Sequence, residues 1–263
     1  MSTYRLENLF APRSVALVGA SPREGSLGGA VLRNLRRAGF EGPLWPVNPR
    51  HADIDGTPCF ANLSALPQVP DVAVVVTPAS AVEAVLEEAG RIGVRVAVVL
   101  TAGLDRGAGS TQDRIRIEAR RHGLRLVGPN CLGVVAPKAK FDASFAATPA
   151  RPGDLALISQ SGAIAAALLE WGEQRGVGWS GLVTLGDKID VDFGDCLDWF
   201  AQDRGTRAIL LYVESISDPR KFMSAARAAA RTKPVIVVKG GRHRAGAVAA
   251  SSHTGALAGS DEV

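Results

Sequence analysis

Residues 14–21 read Ser-Val-Ala-Leu-Val-Gly-Ala-Ser, a short apolar run that ends in a turn of small residues. The run is hydrophobic at consecutive positions, which is typical of a strand buried on both faces of a parallel sheet. Helical patterns separate it from four similar runs, and this alternation predicts one doubly wound α/β unit over roughly residues 1–130. The further strands are predicted at 43–47, 72–76, 95–100 and 124–127, and the helices at about 28–38, 79–92 and 110–122.

The alternation resumes after residue 153, which predicts a second α/β unit. Between the units, residues 131–152 carry three prolines and no clear period, and this composition indicates a connector. No further strand or helix pattern follows Lys239, so we expect the chain to be a piece of a longer polypeptide. In the second unit the strands are predicted at 154–159, 178–184, 207–213 and 234–239, and the helices at 162–174, 191–203 and 218–231.

The composition is that of an ordinary globular protein, with 46% hydrophobic and 21% charged residues. Residues 1–140 hold 17 Lys and Arg against 12 Asp and Glu, a mildly basic balance that suits an anionic ligand such as a nucleotide. These charges are too dilute for a nucleic-acid partner. Three distant cysteines argue against a disulfide framework or a structural zinc site and favour a cytoplasmic location. No apolar run reaches about 18 residues, so we expect no membrane partner.

The residues that follow the strands of the first unit predict a ligand-binding rim. Ligands bind beyond the carboxyl ends of the strands in open α/β sheets. After the first strand, a turn of small residues leads into a helix and is a plausible cradle for a phosphate. The other four strands also end in turns on the same edge. The rim comprises Gly19, Ala20, Ser21 and Gly28 in the first turn, then Asn48-Pro49, Thr77-Pro78, Ala102-Gly103 and Asn130-Cys131.

A nicotinamide dinucleotide protein is one alternative that such a turn raises. The turn is not a clean GxGxxG, and the second strand ends at Asn48-Pro49 with no acidic residue to hold a ribose hydroxyl. Both departures count against this alternative. Cys131 has no base near it in the sequence, so we interpret it as a small turn residue rather than a nucleophile.

In the second unit, Ser159-Gln-Ser161-Gly162 joins a strand directly to a helix. Two hydroxyls and the free N–H groups of a helix N-terminus can bind phosphate, but an ordinary serine cap fits equally well. Glu214 ends the strand at 207–213 and either orients an imidazole or is a solvated turn residue. We expect the acidic loop at 187–192 to cap the next helix, and we expect no metal site because nothing else supplies a ligand set.

His253 lies in a tract of small residues, Ala-Ala-Ser-Ser-His-Thr-Gly-Ala-Leu-Ala-Gly-Ser at 249–260. Taken alone, this tract is more typical of a flexible loop with a solvated histidine. An imidazole that a ligand can approach closely is also able to act as a nucleophile or general base. His51, His122 and His243 lie in polar helix ends or loops, and we interpret them as solvated.

Four motifs occur in order: Gly-Pro-Asn-Cys-Leu-Gly at 128–133, Ser-Gln-Ser-Gly-Ala at 159–163, Gly-Asp-Lys-Ile-Asp-Val-Asp at 186–192 and Ser-His-Thr-Gly-Ala at 252–256. Together they resemble the α-subunit half of the NDP-forming acyl-CoA synthetases, relatives of succinyl-CoA synthetase. The resemblance implies an α/β fold of two doubly wound parallel-sheet domains, Rossmann-like and then flavodoxin-like. We therefore expect a CoA-binding domain over 1–132, a connector over 133–152 and a domain with the phosphohistidine loop over 153–263.

The resemblance also implies roles for the candidate residues. His253 would be the nucleophile that becomes phosphohistidine, and Glu214 would orient it. Ser159, Ser161 and Gly162 would hold the phosphoryl group. Gly19, Ala20, Ser21 and Gly28 would lie near the nucleotide and phosphates of coenzyme A or acyl-CoA, and Asn48, Pro49, Thr77, Pro78, Ala102, Gly103, Asn130 and Cys131 would line the rest of that ligand.

The implied reaction interconverts acyl-CoA, ADP and phosphate with the acid, CoA and ATP, through an acyl phosphate and phosphohistidine. The family binds ATP or ADP with Mg²⁺ in an ATP-grasp domain, which we expect in cis or as a β subunit, and we expect a homo-oligomer. Asp187 and the segment 211–222 resemble a subgroup fused to a GNAT protein lysine acetyltransferase, so a regulatory acyl-CoA-binding region is the alternative. Retention of His253 keeps ligase chemistry open.

Overall fold

The computed structural model describes residues 3–241. The first sheet is parallel throughout and has the strand order β2-β1-β5-β6-β7. The chain passes from β1 to β2 on one side and then to β5 on the other, so the switch point of this doubly wound sheet lies between β1 and β5. Its elements are α1 (Leu6–Phe10), β1 (Val15–Val18), α2 (Leu27–Arg37), β2 (Leu44–Val47), a hairpin of β3 (Asp53–Ile54) and β4 (Thr57–Pro58), β5 (Val72–Val75), α3 (Ala79–Ile92), β6 (Val96–Val99), α4 (Thr111–His122) and β7 (Arg125–Val127).

The second sheet has six strands in the order β13-β12-β10-β11-β8-β9. Its four parallel strands again run outward in both directions from the middle, and the switch point lies between β10 and β12. The elements are β8 (Gly133–Ala136), β9 (Phe141–Ser144), β10 (Pro152–Ser159), α5 (Gly162–Arg175), β11 (Trp179–Thr184), α6 (Phe193–Gln202), β12 (Ala208–Val213), α7 (Pro219–Ala230) and β13 (Val235–Lys239). The α/β class with two doubly wound sheets is confirmed.

The stretch 133–152, expected to be a connector, contains two strands of the second sheet. β8 and β9 pair antiparallel, and β8 also pairs antiparallel with β11, so this sheet is mixed rather than parallel throughout. The reason is burial, since all eight residues of the two strands are buried. The prolines that suggested a connector lie outside both strands.

The two sheets share one hydrophobic core. A single cluster of buried side chains includes Leu17 and Val74 of the first sheet and Ile158 and Leu211 of the second. α1 contributes to it as well, because Phe10 stacks on Trp199 of α6 with ring centroids 5.3 Å apart. No helix within residues 3–241 is both long and apolar enough to cross a bilayer.

Candidate active site

The turn after β1 brings the start of α2 into close contact with the end of the strand. Gly19 has φ 95°, a conformation that favours glycine, and its N–H donates to the carbonyl of Val47 at 2.8 Å. A Cβ atom on Gly28 would lie only 2.1 Å from the carbonyl oxygen of Gly19. Ser26 caps α2 by accepting the N–H of Gly29 at 3.1 Å. The close approach of Gly19 and Gly28 is therefore what requires small residues in this turn.

Other rim residues lie on the same edge as this turn. The side-chain amide of Asn48 donates to the carbonyl of Ala20 at 2.7 Å, which ties the end of β2 to the turn. The hydroxyl of Thr101 donates to the carbonyl of Thr77 at 2.7 Å. The hydroxyl oxygen of Thr77 is buried and has no hydrogen-bond partner among the described residues. A buried polar atom without a partner at a switch point is a candidate ligand contact.

The remaining rim residues differ in their position along the sheet edge and in their exposure. Asn130 lies beyond β7, three strands from β1 and so roughly 14 Å away across the sheet; an extended ligand is needed to reach both ends. Pro49, Pro78, Ala102 and Gly103 are exposed at this edge.

Cys131 is buried, and its thiol donates to the carbonyl of Val99 at 3.3 Å. Burial raises the pKa of the Cys131 thiol to about 12. A thiol with this pKa is not a nucleophile near neutral pH. Only its backbone is able to face a ligand on the rim.

The second switch point is formed by the N-terminus of α5. Ser161 is the N-cap residue, and its hydroxyl accepts the N–H of Ile164 at 3.4 Å. The hydroxyl of Ser159 is fully buried; it donates to the carbonyl of Ser161 at 2.7 Å and accepts that residue's N–H at 3.1 Å. Ser159 therefore shapes the turn. The N–H groups of Gly162 and Ala163 have no partner within the helix, as at any helix start.

Gln160 holds the two sides of this switch point together, a role that the sequence reasoning missed. Its side-chain oxygen accepts the N–H groups of Glu214 and Ser215 at 3.1 and 3.0 Å. Its amide nitrogen donates to the hydroxyl of Ser215 at 3.1 Å. The turn after β12 is thereby fixed against the N-terminus of α5. The available signal was a glutamine placed between two serines at a strand end.

Glu214 lies in this clamped turn and is only 6% exposed, so it is not a solvated turn residue. Lys188 lies near it, 9% exposed, and its ammonium donates to the hydroxyl of Ser215 at 2.9 Å. Burial lowers the pKa of Lys188, and the nearby Glu214 opposes that shift. The structure thus brings Ser161, Gly162 and Glu214 together and adds a buried lysine that had been given no role.

Asp187 joins the rims of the two sheets. Its carboxylate forms an ion pair with Arg106 at 2.6 Å and accepts the side-chain amides of Gln112 at 2.7 Å and Asn130 at 3.3 Å. Further along the same loop, Asp192 caps α6 in a capping box with Asp195. The expected helix cap in the acidic loop is therefore confirmed. His253 lies outside the described residues, as does the rest of its small-residue tract.

The sequence matches two protein families that together cover most of the chain. Residues 13–137 match the CoA binding domain family, and residues 152–263 match the succinyl-CoA ligase like flavodoxin domain family. The chain belongs to the NDP-forming acyl-CoA synthetase family. The two matches follow one another along the chain, first the CoA binding domain family and then the flavodoxin domain family.

Relatives within this family are similar over nearly the whole chain. The acetate–CoA ligase [ADP-forming] I of Archaeoglobus fulgidus is 44% identical over 98% of this chain and 38% of its own length. The α subunit of acetate–CoA ligase [ADP-forming] I of Pyrococcus furiosus is 43% identical over 98% of this chain and 57% of its own. The chain therefore spans less than two thirds of either relative.

A solved structure has the same fold. The dinucleotide forming acetyl-coenzyme A synthetase 1 of Ca. Korarchaeum cryptofilum, in complex with phosphate and ADP, superposes with a TM-score of 0.91 and is 38% identical over 98% of this chain and 56% of its own. The names of all three proteins describe ligases or synthetases. They give no support to the acetyltransferase-linked alternative.

Proposed function

We propose that this chain is the CoA-binding and phosphohistidine-bearing half of an ADP-forming acyl-CoA ligase, with acetate as the first acid to test. The observation that carries the proposal is the Gln160 clamp, which places the buried Glu214 beside the N-terminus of α5. A carboxylate and free N–H groups at one switch point suit a histidine that accepts and donates a phosphoryl group. The match to ligase relatives supports the same chemistry.

In the proposed first step, an oxygen of phosphate attacks the thioester carbonyl of acyl-CoA. The carbon–sulfur bond breaks, the sulfur takes a proton, and acyl phosphate and CoA are formed. An imidazole nitrogen of His253 then attacks the phosphorus, and the acid leaves as its carboxylate. Finally ADP attacks the phosphorus, the nitrogen–phosphorus bond breaks, and ATP is formed. Two steps through a phosphoryl carrier replace one difficult transfer.

The described residues would act on charge and orientation in this sequence. Glu214 would accept the N–H of one imidazole nitrogen and so hold the other as the nucleophile. The N–H groups of Gly162 and Ala163 would stabilise the phosphoryl oxygens at the positive end of α5. Ser159 and Ser161 shape that N-terminus, and Ser161 would also contact the group.

CoA fits the edge of the first sheet. The turn of small residues at Gly19 and Gly28 leads into the N-terminus of α2, and the Thr77 hydroxyl, which has no partner among residues 3–241, lies at the same switch point. Nucleotide and Mg²⁺ would be bound by an ATP-grasp domain, in cis or as a β subunit. The Pyrococcus relative is itself named as an α subunit.

The decisive experiment uses the complete ligase, with this chain together with its nucleotide-binding part. Incubation with ATP labelled in the γ position should give an acid-labile, base-stable phosphoryl label on this chain. His253→Ala should abolish that label, whereas His51→Ala should keep it. An unlabelled wild type, or a label that survives His253→Ala, would contradict the proposal.

CoA binding is tested separately with Thr77→Val. We expect this nearly isosteric change to leave the free energy of unfolding unchanged or slightly higher, because the hydroxyl has no partner to lose. CoA affinity in the complete protein should fall by about tenfold, the usual effect of losing one ligand hydrogen bond. Thr232→Val, far from the rim, should keep wild-type affinity. Calorimetric titration with CoA checks both, and an unchanged affinity for Thr77→Val would remove Thr77 from the site.

A further inference from the structure

Lys188 is a buried lysine for which the proposed reaction has no use so far. Its ammonium is bonded to the hydroxyl of Ser215, and its backbone has φ 45°, a conformation that is strained for a residue with a side chain. Burying an ammonium costs free energy unless a charged group or ligand compensates. The nearby Glu214 offsets only part of the burial cost, and a bound anion would offset more of it.

The loop around Lys188 is anchored so that this side chain faces the second switch point. The N–H groups of Asp187 and Ile189 donate to the carbonyls of Pro129 and Gly128, at 2.9 and 3.3 Å. The backbone on both sides of Lys188 is therefore fixed to the first unit. The ammonium, in contrast, reaches Ser215, which Gln160 holds against the start of α5.

Within the described residues, the charges around the ammonium of Lys188 leave it able to bind an anion. The N-terminus of α5 carries a partial positive charge, and the ammonium of Lys188 adds a full one. The carboxylate of Asp187, next in sequence, is bonded to Arg106, Gln112 and Asn130 instead. Glu214 is the acidic group whose charge acts most strongly on Lys188. Asp192 acts on Lys188 more weakly. A phosphoryl group here would meet both the ammonium and the positive end of α5, and Glu214 would offset part of that charge.

We propose that Lys188 is a substrate-binding residue whose ammonium holds phosphoryl oxygens at the second switch point. The group is either inorganic phosphate or the phosphoryl group of the acyl phosphate, which present the same oxygens. This inference rests on the proposed function, because only a phosphoryl-transfer site brings such a group here. A charge-assisted hydrogen bond to phosphate is the interaction that lysine forms most readily with this group.

The test compares Lys188→Arg, Lys188→Gln and Lys188→Met in the complete ligase. Lys188→Gln keeps a donor for Ser215 without the charge, so it separates phosphate binding from a purely structural role. We expect Lys188→Gln and Lys188→Met to raise the KM for phosphate at least about tenfold, with the KM for acetyl-CoA unchanged. Lys188→Arg should restore part of the loss. A wild-type phosphate KM in Lys188→Gln would overturn the proposal.

A matched control is Lys233→Met. Lys233 is also partly buried in the second unit, and burial lowers its pKa too, but its ammonium is bonded to the carbonyl of Phe200 near the opposite end of the strands. We expect its kinetic constants to match the wild type. Titration of inorganic phosphate into the complete protein without nucleotide or CoA gives a readout that does not depend on turnover, and Lys188→Gln should bind at least about tenfold more weakly.

The outcomes distinguish this proposal from the proposed function. A wild type that forms no phosphohistidine from ATP would refute the function, and the phosphate titration would still decide the role of Lys188. An active wild type with unchanged phosphate binding in Lys188→Gln would refute only the role of Lys188. An effect confined to the KM for acetate, in the direction of thioester synthesis, would place Lys188 on the acyl carboxylate and also overturn the proposal.

Discussion

At the scale of single residues, Asp142 shows how burial changes the cost of a charge. Asp142 in β9 is 4% exposed, and its carboxylate accepts the hydroxyl of Ser144 at 2.6 Å and that residue's N–H at 3.2 Å. Burial raises the pKa of Asp142, and these hydrogen bonds only partly offset the effect. An ionised carboxylate here is therefore a cost to the folded state at neutral pH.

We expect Asp142→Asn to stabilise the protein at pH 7, because asparagine keeps an acceptor for Ser144 and has no charge to bury. The folded-state pKa of Asp142 is raised above its usual value of 3.8. The wild type thus loses stability as the pH rises through that pKa, and the advantage of the variant should shrink at acidic pH and vanish below about 3.8.

Urea unfolding at several pH values measures this difference. Asp154→Asn is the control of opposite sign, since the exposed Arg207 lowers the pKa of Asp154. That variant should be slightly less stable than the wild type at neutral pH. An Asp142→Asn variant whose effect does not change with pH would show that packing, not charge, decides its stability.

At the scale of elements, the start of a helix is often marked by a capping side chain. Side-chain caps begin five of the helices: Ser26 for α2, Ser110 for α4, Ser161 for α5, Asp192 for α6 and Asp218 for α7. α3 begins after Pro78 with no side-chain cap, and it follows β5 at the first switch point. A cap is visible from sequence, but whether a capping hydroxyl also contacts a ligand is not.

Ser161→Gly separates these two roles of one serine. Glycine is itself a tolerated N-cap, so the change should cost only a few tenths of a kcal/mol in unfolding free energy. If Ser161 also contacts the phosphoryl group, the rate of phosphohistidine formation in the complete ligase should fall by about tenfold. Ser110→Gly removes the same kind of cap from α4 and should leave that rate unchanged. Equal rates of phosphohistidine formation for both variants would show that Ser161 acts only as a helix cap.

At the scale of the whole molecule, the two units behave as one body because their core and their rims are shared. The main hydrophobic cluster draws on both sheets, and the carboxylate of Asp187 is bonded to three side chains of the first unit. Asp190 adds a second link through Arg125 at 2.9 Å. We therefore expect one cooperative unfolding transition for the described part of the chain.

Asp187→Ala should lower the free energy of unfolding by about 1–3 kcal/mol, because it leaves the buried amide of Gln112 and the partly buried amide of Asn130 without their acceptor. The estimate is modest because Arg106 is 37% exposed and water screens its charge, although Asp187 itself is only 8% exposed. Glu83→Ala breaks an exposed pair with Arg114 inside the first unit and should cost much less. Urea unfolding measures both variants. Similar losses of unfolding free energy would mean that Asp187 does not stabilise the contact between the two units more than an exposed ion pair does.

Much of the fold could be predicted because its strands are nearly pure apolar runs and its helices begin at capping residues. β8 and β9 were missed because four-residue strands with a proline between them look like a connector, and only pairing with β11 makes them strands. Ser161 and Glu214 could be proposed from sequence because each lies at a strand end. Gln160 and Lys188 were missed because their roles depend on partners more than 25 residues away.

The sequence by itself determined two doubly wound units, the family and the candidate rims, because burial periodicity, turn residues and ordered motifs are local properties. Tertiary structure alone decided which strand ends meet at the second switch point. In the tertiary structure Glu214 is buried rather than solvated, and the ammonium of Lys188 lies beside the hydroxyl of Ser215. The reason is physical: burial, charge balance and hydrogen-bond partners belong to the neighbours in space, and the order of strands in a sheet differs from their order in the chain.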